Sequence, residues 1–178
     1  RLVGEKAADL LPQAITDSLS QLGNKMNFLI LGSGDKKVEQ QLTYLTGNFA
    51  GYYNSKIGYN EKLAHQMYAG ADFILMPSRV EPCGLNQMYA LRYGTIPIVR
   101  STGGLKDTVV DFGDPNGFGI RFNYASVWDI TYSIHRAVEL YDDKEKMTEI
   151  RKQIMEIDNS WEKSAEKYIN LYTSIQLK

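Results

Sequence analysis

The sequence predicts an α/β fold: a doubly wound parallel sheet, helices on both faces, and extra helices at the C-terminal end. Three observations predict it. Apolar runs of strand length (26–31, 71–76 and 95–99) alternate with polar stretches of helix length. Two adjacent strands each end in a charged, glycine-containing turn that opens a helix. After a last short strand, three helical patterns follow without a strand between them.

In chain order, Ala7, Leu10, Leu11, Ala14, Ile15 and Leu19 recur at spacings of three and four, which predicts a helix over 8–21. Gly23 and Asn24 close it. A doubly wound domain normally opens with a buried strand. Here that strand is expected to be cut, or reduced to Leu2-Val3, so residues 1–178 are expected to form a single domain truncated at its first strand. A strand at 26–31 leads through Gly32-Ser33-Gly34 to a helix over 35–46. Phe49 to Tyr53 is expected as a short strand, followed by a loop through Gly58 and Tyr59. Asn60 caps a helix over 61–69. The next elements are a strand at 71–76, a helix at 85–93, a strand at 95–99 and a short helix at 105–112. Asp114-Pro115-Asn116-Gly117 is a turn. A short strand at 119–122 precedes helices over 127–141, 144–156 and 160–174.

Bulk properties narrow the function. The chain has 178 residues, 43% hydrophobic and 23% charged, with a net charge of −1. Nothing global attracts nucleic acid or an anionic membrane, so an anion site must be local. One cysteine, Cys83, excludes an internal disulfide and fits a reducing compartment. No apolar run approaches the ~18 residues of a membrane span.

The chemistry concentrates in two turns. Arg79-Val80-Glu81-Pro82-Cys83-Gly84-Leu85 and Arg100-Ser101-Thr102-Gly103-Gly104-Leu105 follow neighbouring strands. In an open parallel sheet, ligands bind beyond the carboxyl ends of the strands, and a helix start reached through glycines attracts anions. The pattern therefore sets a carboxylate and a bare backbone loop beside one crevice, suited to a sugar joined to a phosphate. Glu81 also reads as a loop charge favoured by the helix dipole, and Thr102-Gly103-Gly104 as a plain strand-to-helix turn. By spacing alone, Arg1 and Lys6 read as solvated charges and Tyr59 as a surface tyrosine. Gly32-Ser33-Gly34-Asp35-Lys36-Lys37 lacks the third glycine and the distal acid of a dinucleotide site. Neither His65 nor His135 sits in a motif that would partner Cys83, which reads as a packing residue. No spacing of His, Cys or carboxylates points to a metal.

Arg1-Leu2-Val3-Gly4-Glu5-Lys6, Ile57-Gly58-Tyr59, Pro77 through Tyr89, and Arg100 through Leu105 together resemble bacterial glycogen synthase and plant starch synthase. The resemblance covers the whole chain, and Glu81-Pro82-Cys83-Gly84-Leu85 is its most specific block. It implies the C-terminal, Rossmann-like half of a two-domain GT-B glycosyltransferase. Such an enzyme transfers glucose from ADP-glucose to the non-reducing end of an α-1,4-glucan with retention of configuration. By position it assigns Glu81 as the catalytic carboxylate of this half and Arg1 and Lys6 to the diphosphate. Tyr59 is assigned to the adenine, Cys83, Gly84 and Leu85 to the donor pocket, and Thr102, Gly103 and Gly104 to phosphate and glucose. It implies no cofactor and no metal, a glucan acceptor held through an absent N-terminal domain, and a helix over about 160–175 that crosses to that domain. It also implies a cytoplasmic setting, or plastid stroma in a plant. Where the wider superfamily repeats a glutamate eight residues after the first, this chain has Tyr89, as this branch does; Ala7 stands where many relatives have glycine. The excised chain is expected to bind ADP weakly and to transfer no glucose. A UDP-sugar transferase and a non-catalytic nucleotide- or glycan-binding module are the alternatives.

Overall fold

The structure is a computed structural model and describes residues 1–176. Strands β1 (Phe28–Gly32) and β2 (Tyr53–Ile57) form one parallel sheet, and β3 (Phe73–Met76), β4 (Ile96–Arg100) and β5 (Ile120–Phe122) form a second, in that order. Helices α1 (Leu11–Leu22), α2 (Lys36–Asn48), α3 (Glu61–Gly70), α4 (Asn86–Arg92), α5 (Gly103–Thr108), α6 (Val127–Asp142), α7 (Lys144–Met155) and α8 (Trp161–Gln176) connect and flank them.

The alternation of strands and helices is as the sequence predicts. β4 shows why it packs on both faces. Ile96 and Val99 join Leu91, Leu105, Ile150 and Ile154 in one core cluster, while Ile98 joins Ile120, Ile130 and Ile134 in another. A strand covered on both sides reads as a continuous apolar run rather than an alternating one. Each fully buried aliphatic side chain contributes roughly 1.5–3 kcal/mol. A third cluster, with Leu2, Ile15, Leu19, Val38 and Leu42, lies against β1 and β2.

Several boundaries move, each for a local reason. The first helix becomes α-helical only at Leu11, because Ala7 adopts a left-handed conformation (φ 53°) between two short 3-10 turns. The strand expected at 49–53 lies instead at Tyr53–Ile57. Tyr52 and Tyr53 N–H both donate to Phe49 O, closing a turn through Gly51 at φ 88°. α5 ends at Thr108 rather than 112, since Asp111 pairs with Gly119 and Phe112 N–H donates to Gly119 O at 2.7 Å. The expected first strand survives as one parallel bridge from Leu2 to Gly34. Among the described residues no ladder joins β1 to β3, so the single expected sheet is divided into two.

α8 differs from the other helices. Trp161, Tyr168, Ile169, Leu171, Tyr172 and Ile175 are all more than half exposed, and no residue of the helix is buried.

Candidate active site

Three segments meet at the carboxyl end of the three-stranded sheet. The first is the 3-10 turn Gly4–Lys6 ahead of α1. The second runs from the end of β3 through Ser78 and Glu81 to the start of α4. The third is Ser101 to Gly104, between β4 and α5.

Their hydrogen bonds set the geometry. The Lys6 ammonium is paired with Glu81 Oε2, and Ser78 Oγ donates to the same oxygen at 3.0 Å. The Glu81 side chain is 11% exposed and Lys6 27%. A carboxylate this shielded needs a paired cation, since an isolated buried charge is costly. The Lys6 and Ser78 bonds both go to Oε2, and Glu81 Oε1 accepts no hydrogen bond among the described residues. Lysine carries three N–H donors, and Glu81 engages one of them.

The two strand-end turns are pressed together. Gly104 N–H donates to Glu81 O at 3.1 Å and to Pro82 O at 3.3 Å. A Cβ on Gly104 would overlap Cys83 O, and one on Gly103, at φ 42°, would overlap Glu81 O. The paired glycines are therefore required first for backbone contact between turns. Of the two amides expected to face a ligand, Gly104 N–H is already engaged, while Gly103 N–H has no acceptor among the described residues. Buried Gln87 lies beneath the turns, its two amide hydrogens shared among Cys83 O (3.2 Å), Gly84 O (3.0 Å) and Thr108 Oγ1 (3.1 Å).

The structure thus unites Lys6, Glu81, Cys83, Gly84, Thr102, Gly103 and Gly104 in one place. Cys83 and Leu85 are exposed there. Arg1 and Tyr59 make no hydrogen bond to this group. Arg1 pairs with Glu5 at 3.8 Å on the surface, and Tyr59, 86% exposed, stands in the loop after β2. Hollows of about 350 and 520 Å³ lie elsewhere, one beside Leu19 and Phe49, the other beside Lys36 and Tyr44. Among the described residues no three metal-ligating side chains cluster, and no helix is long and apolar enough to cross a membrane.

Arginines brace the site. Arg79 forks onto Asp9 at 2.6 and 2.9 Å and reaches Gly4 O at 2.6 Å. That bond holds the Asp9 carboxyl below its ordinary range and the guanidinium above its own. Arg100 Nε donates to Ser78 O at 2.7 Å, its Nη2 to Arg79 O at 2.5 Å and its Nη1 to Asn123 O at 3.3 Å. Ser78, Arg79, Gln87 and Arg100 are visible within the motifs, but nothing in the sequence marks what they touch.

Residues 1–154 match the family profile described as glycosyl transferases group 1. The chain belongs to that family. Glycosyl transferases of group 1 that resemble it strongly include the glycogen synthase of Flavobacterium johnsoniae, 59% identical over 98% of this chain and 37% of the relative. A glycogen synthase of Bacillus cereus is 44% identical over the same shares. Among solved structures, the catalytic domain of starch synthase IV from Arabidopsis thaliana, bound to ADP and acarbose, superposes with a TM-score of 0.86 at 37% identity. That match covers 98% of this chain and 36% of the other. The chain therefore spans little more than a third of the length of these relatives, and it carries the α/β architecture of one half of a GT-B transferase.

Proposed function

We propose that this chain is the donor-nucleotide half of a glycogen or starch synthase, which moves glucose from ADP-glucose to the non-reducing end of an α-1,4-glucan with retention. The observation that carries the reading is the Lys6–Glu81 pair, held where the first turn, the β3 loop and the glycine turn converge. Its support from relatives is the glycogen synthase likeness and the ADP-bound starch synthase neighbour.

In this reading the diphosphate lies against Lys6, with Arg1 swinging in from the surface and Gly103 N–H donating from the start of α5. Breaking the bond from the anomeric carbon to the β-phosphate oxygen builds negative charge on the leaving ADP. Fixed cations and amides aimed at that charge are the main source of rate in such a site. A glucan hydroxyl forms the new bond at the same carbon and releases its proton. Glu81 Oε1 faces the hexose, holding a hydroxyl and opposing the positive charge that grows at the anomeric carbon. Tyr59 stacks on the adenine. Cys83, Gly84 and Leu85 wall the donor pocket, and Thr102 and Gly104 shape the phosphate side. The scheme needs no metal or cofactor. The uncovered face of α8 fits a second domain that closes over the site, receives α8 and holds the glucan. The setting is the cytoplasm, or the plastid stroma in a plant.

Calorimetric titration of this chain with ADP and with UDP tests the donor. ADP is expected to bind weakly and UDP more weakly still; a preference for UDP, or no nucleotide binding, overturns the reading. In the longer enzyme, Glu81→Gln is expected to lower turnover by roughly 10³-fold, and the chain alone is expected to transfer no glucose. Unimpaired turnover in the Gln variant would favour a module that binds without reacting.

A further inference from the structure

Lys6 and Glu81 lie 75 positions apart in the chain, and the turn that carries Lys6 contains no buried residue. Leu2, Ala7 and Ala8 on either side of it are buried, while the turn itself is tied to the β3 loop by hydrogen bonds. Apart from the Lys6–Glu81 pair itself, all of these bonds involve Arg79 or its neighbour. Arg79 N–H and Val80 N–H donate to Glu5 O at 2.8 and 3.1 Å. The Arg79 guanidinium reaches Gly4 O and grips both oxygens of Asp9. Gly4 and Glu5 precede Lys6 directly, and Asp9 follows it by less than a turn of helix. On its other side, Arg79 is itself fixed, since its carbonyl accepts from Arg100.

We propose that Arg79 is the positioning residue of this site: its forked guanidinium clamps the Lys6 turn from both ends and so keeps the ammonium on Glu81. Arg79 bonds neither partner of that pair; its guanidinium is engaged by Asp9 and Gly4 O. A planar fork with five donors can grip a carboxylate and a carbonyl at once; a lysine offers a point charge that cannot span both. The clamp itself stands on these contacts alone. Its consequence for nucleotide binding rests on the donor reading above.

Lysine acylation tests the clamp without any ligand. Trace labelling of this chain with acetic anhydride, read by peptide mass spectrometry, compares Lys6 with the exposed Lys106 and Lys152. Arg79→Gln is expected to raise labelling of Lys6 several-fold while the two reference lysines stay constant. Asp9→Asn raises it less, and Arg79→Lys recovers part of the protection. ADP affinity is expected to fall roughly tenfold in Arg79→Gln, the scale of one lost charge-assisted contact. Adding Arg79→Gln to Lys6→Gln is expected to cost nothing more, because Arg79 acts through Lys6. An unchanged Lys6 rate in Arg79→Gln, or a rise shared by all three lysines, overturns the proposal. Should Arg79→Gln fail to fold, the half-exposed Asp9→Asn decides between the same two outcomes by the same comparison of lysines. Failure of the unsubstituted chain to bind ADP would strike the donor reading and leave the labelling result standing.

Discussion

The helices of this chain begin in two different ways. α2, α3, α6 and α7 are capped by their own side chains: Asp35, Asn60, Ser126 and Asp143 each accept a backbone N–H of the first turn. α1, α4 and α5 have Leu10, Leu85 and Thr102 at that position, and none makes a side-chain cap bond. The uncapped three are the helices that open from the segments around Lys6 and Glu81. A cap satisfies amides that are otherwise left without a partner. Side-chain caps are thus present away from the Lys6–Glu81 pair and absent from the three helices that open beside it. The glycine turns show the same division. Gly34 N–H donates to Glu39 Oε1 at 2.8 Å, so the turn after β1 is already filled by a carboxylate of its own helix. The first turn of α5 contains no acid.

Substitutions can break or sharpen this contrast. The largest structural effects are expected from the glycines. Gly34→Ala drives a Cβ into the Leu2 backbone, and Gly104→Ala drives one into Cys83 O. Each should destabilise the fold by about 3 kcal/mol in urea denaturation. At a temperature where both remain folded, Gly104→Ala should impair ADP binding more than Gly34→Ala. Equal loss of ADP affinity in the two would erase the distinction.

Asp111 comes next, as a saturated acid to set against Glu81. Its two oxygens accept from Gly113 N–H, Arg121 N–H and both terminal nitrogens of Arg136, at 2.6–3.0 Å. Burial alone would push the Asp111 carboxyl up, but the Arg136 bond and the two amides outweigh it and hold the group below its ordinary value. A depressed carboxyl contributes stability above the unfolded-state value, near 3.9, and loses it as pH falls through the folded-state value. Asp111→Asn should therefore cost about 2 kcal/mol at neutral pH and flatten the acid limb of a stability–pH curve. An unchanged acid limb would show that the carboxylate contributes nothing there.

The caps give the smaller effects. Asn60→Ala and Ser126→Ala should each cost about 1 kcal/mol in thermal or urea unfolding. Thr102→Ala, which removes no cap bond, should stay within about 0.5 kcal/mol of the parent. A full cap penalty at Thr102 would place α5 with the other class.

Much of this is legible in the sequence for a simple reason: the signals are local. The apolar run of β4, the Asn60 cap and the two turns at strand ends each depend on residues within a few positions. β2 escapes the sequence pattern because its residues, Tyr53-Asn54-Ser55-Lys56-Ile57, are mostly polar. It buries only Tyr53, so no apolar run announces it. Gly104 reads in sequence as a bare surface for a ligand, whereas its neighbour is Cys83 O from the other turn. Such a contact between strand ends leaves no trace in spacing. Asp9 and Arg79, 70 positions apart, are ordinary surface charges in one dimension. Gln87 looks like any polar residue of a short helix until its burial and its three acceptors are seen.

The uncovered face of α8 has a consequence for handling the molecule. A helix of this length without tertiary support is only marginally stable in water, so it adds little to the cooperative melting of the rest. The joint at 156–160 ahead of it should be the first place a protease cuts. The trimmed core should keep its denaturation midpoint while shedding an exposed apolar face, the kind of surface that promotes association.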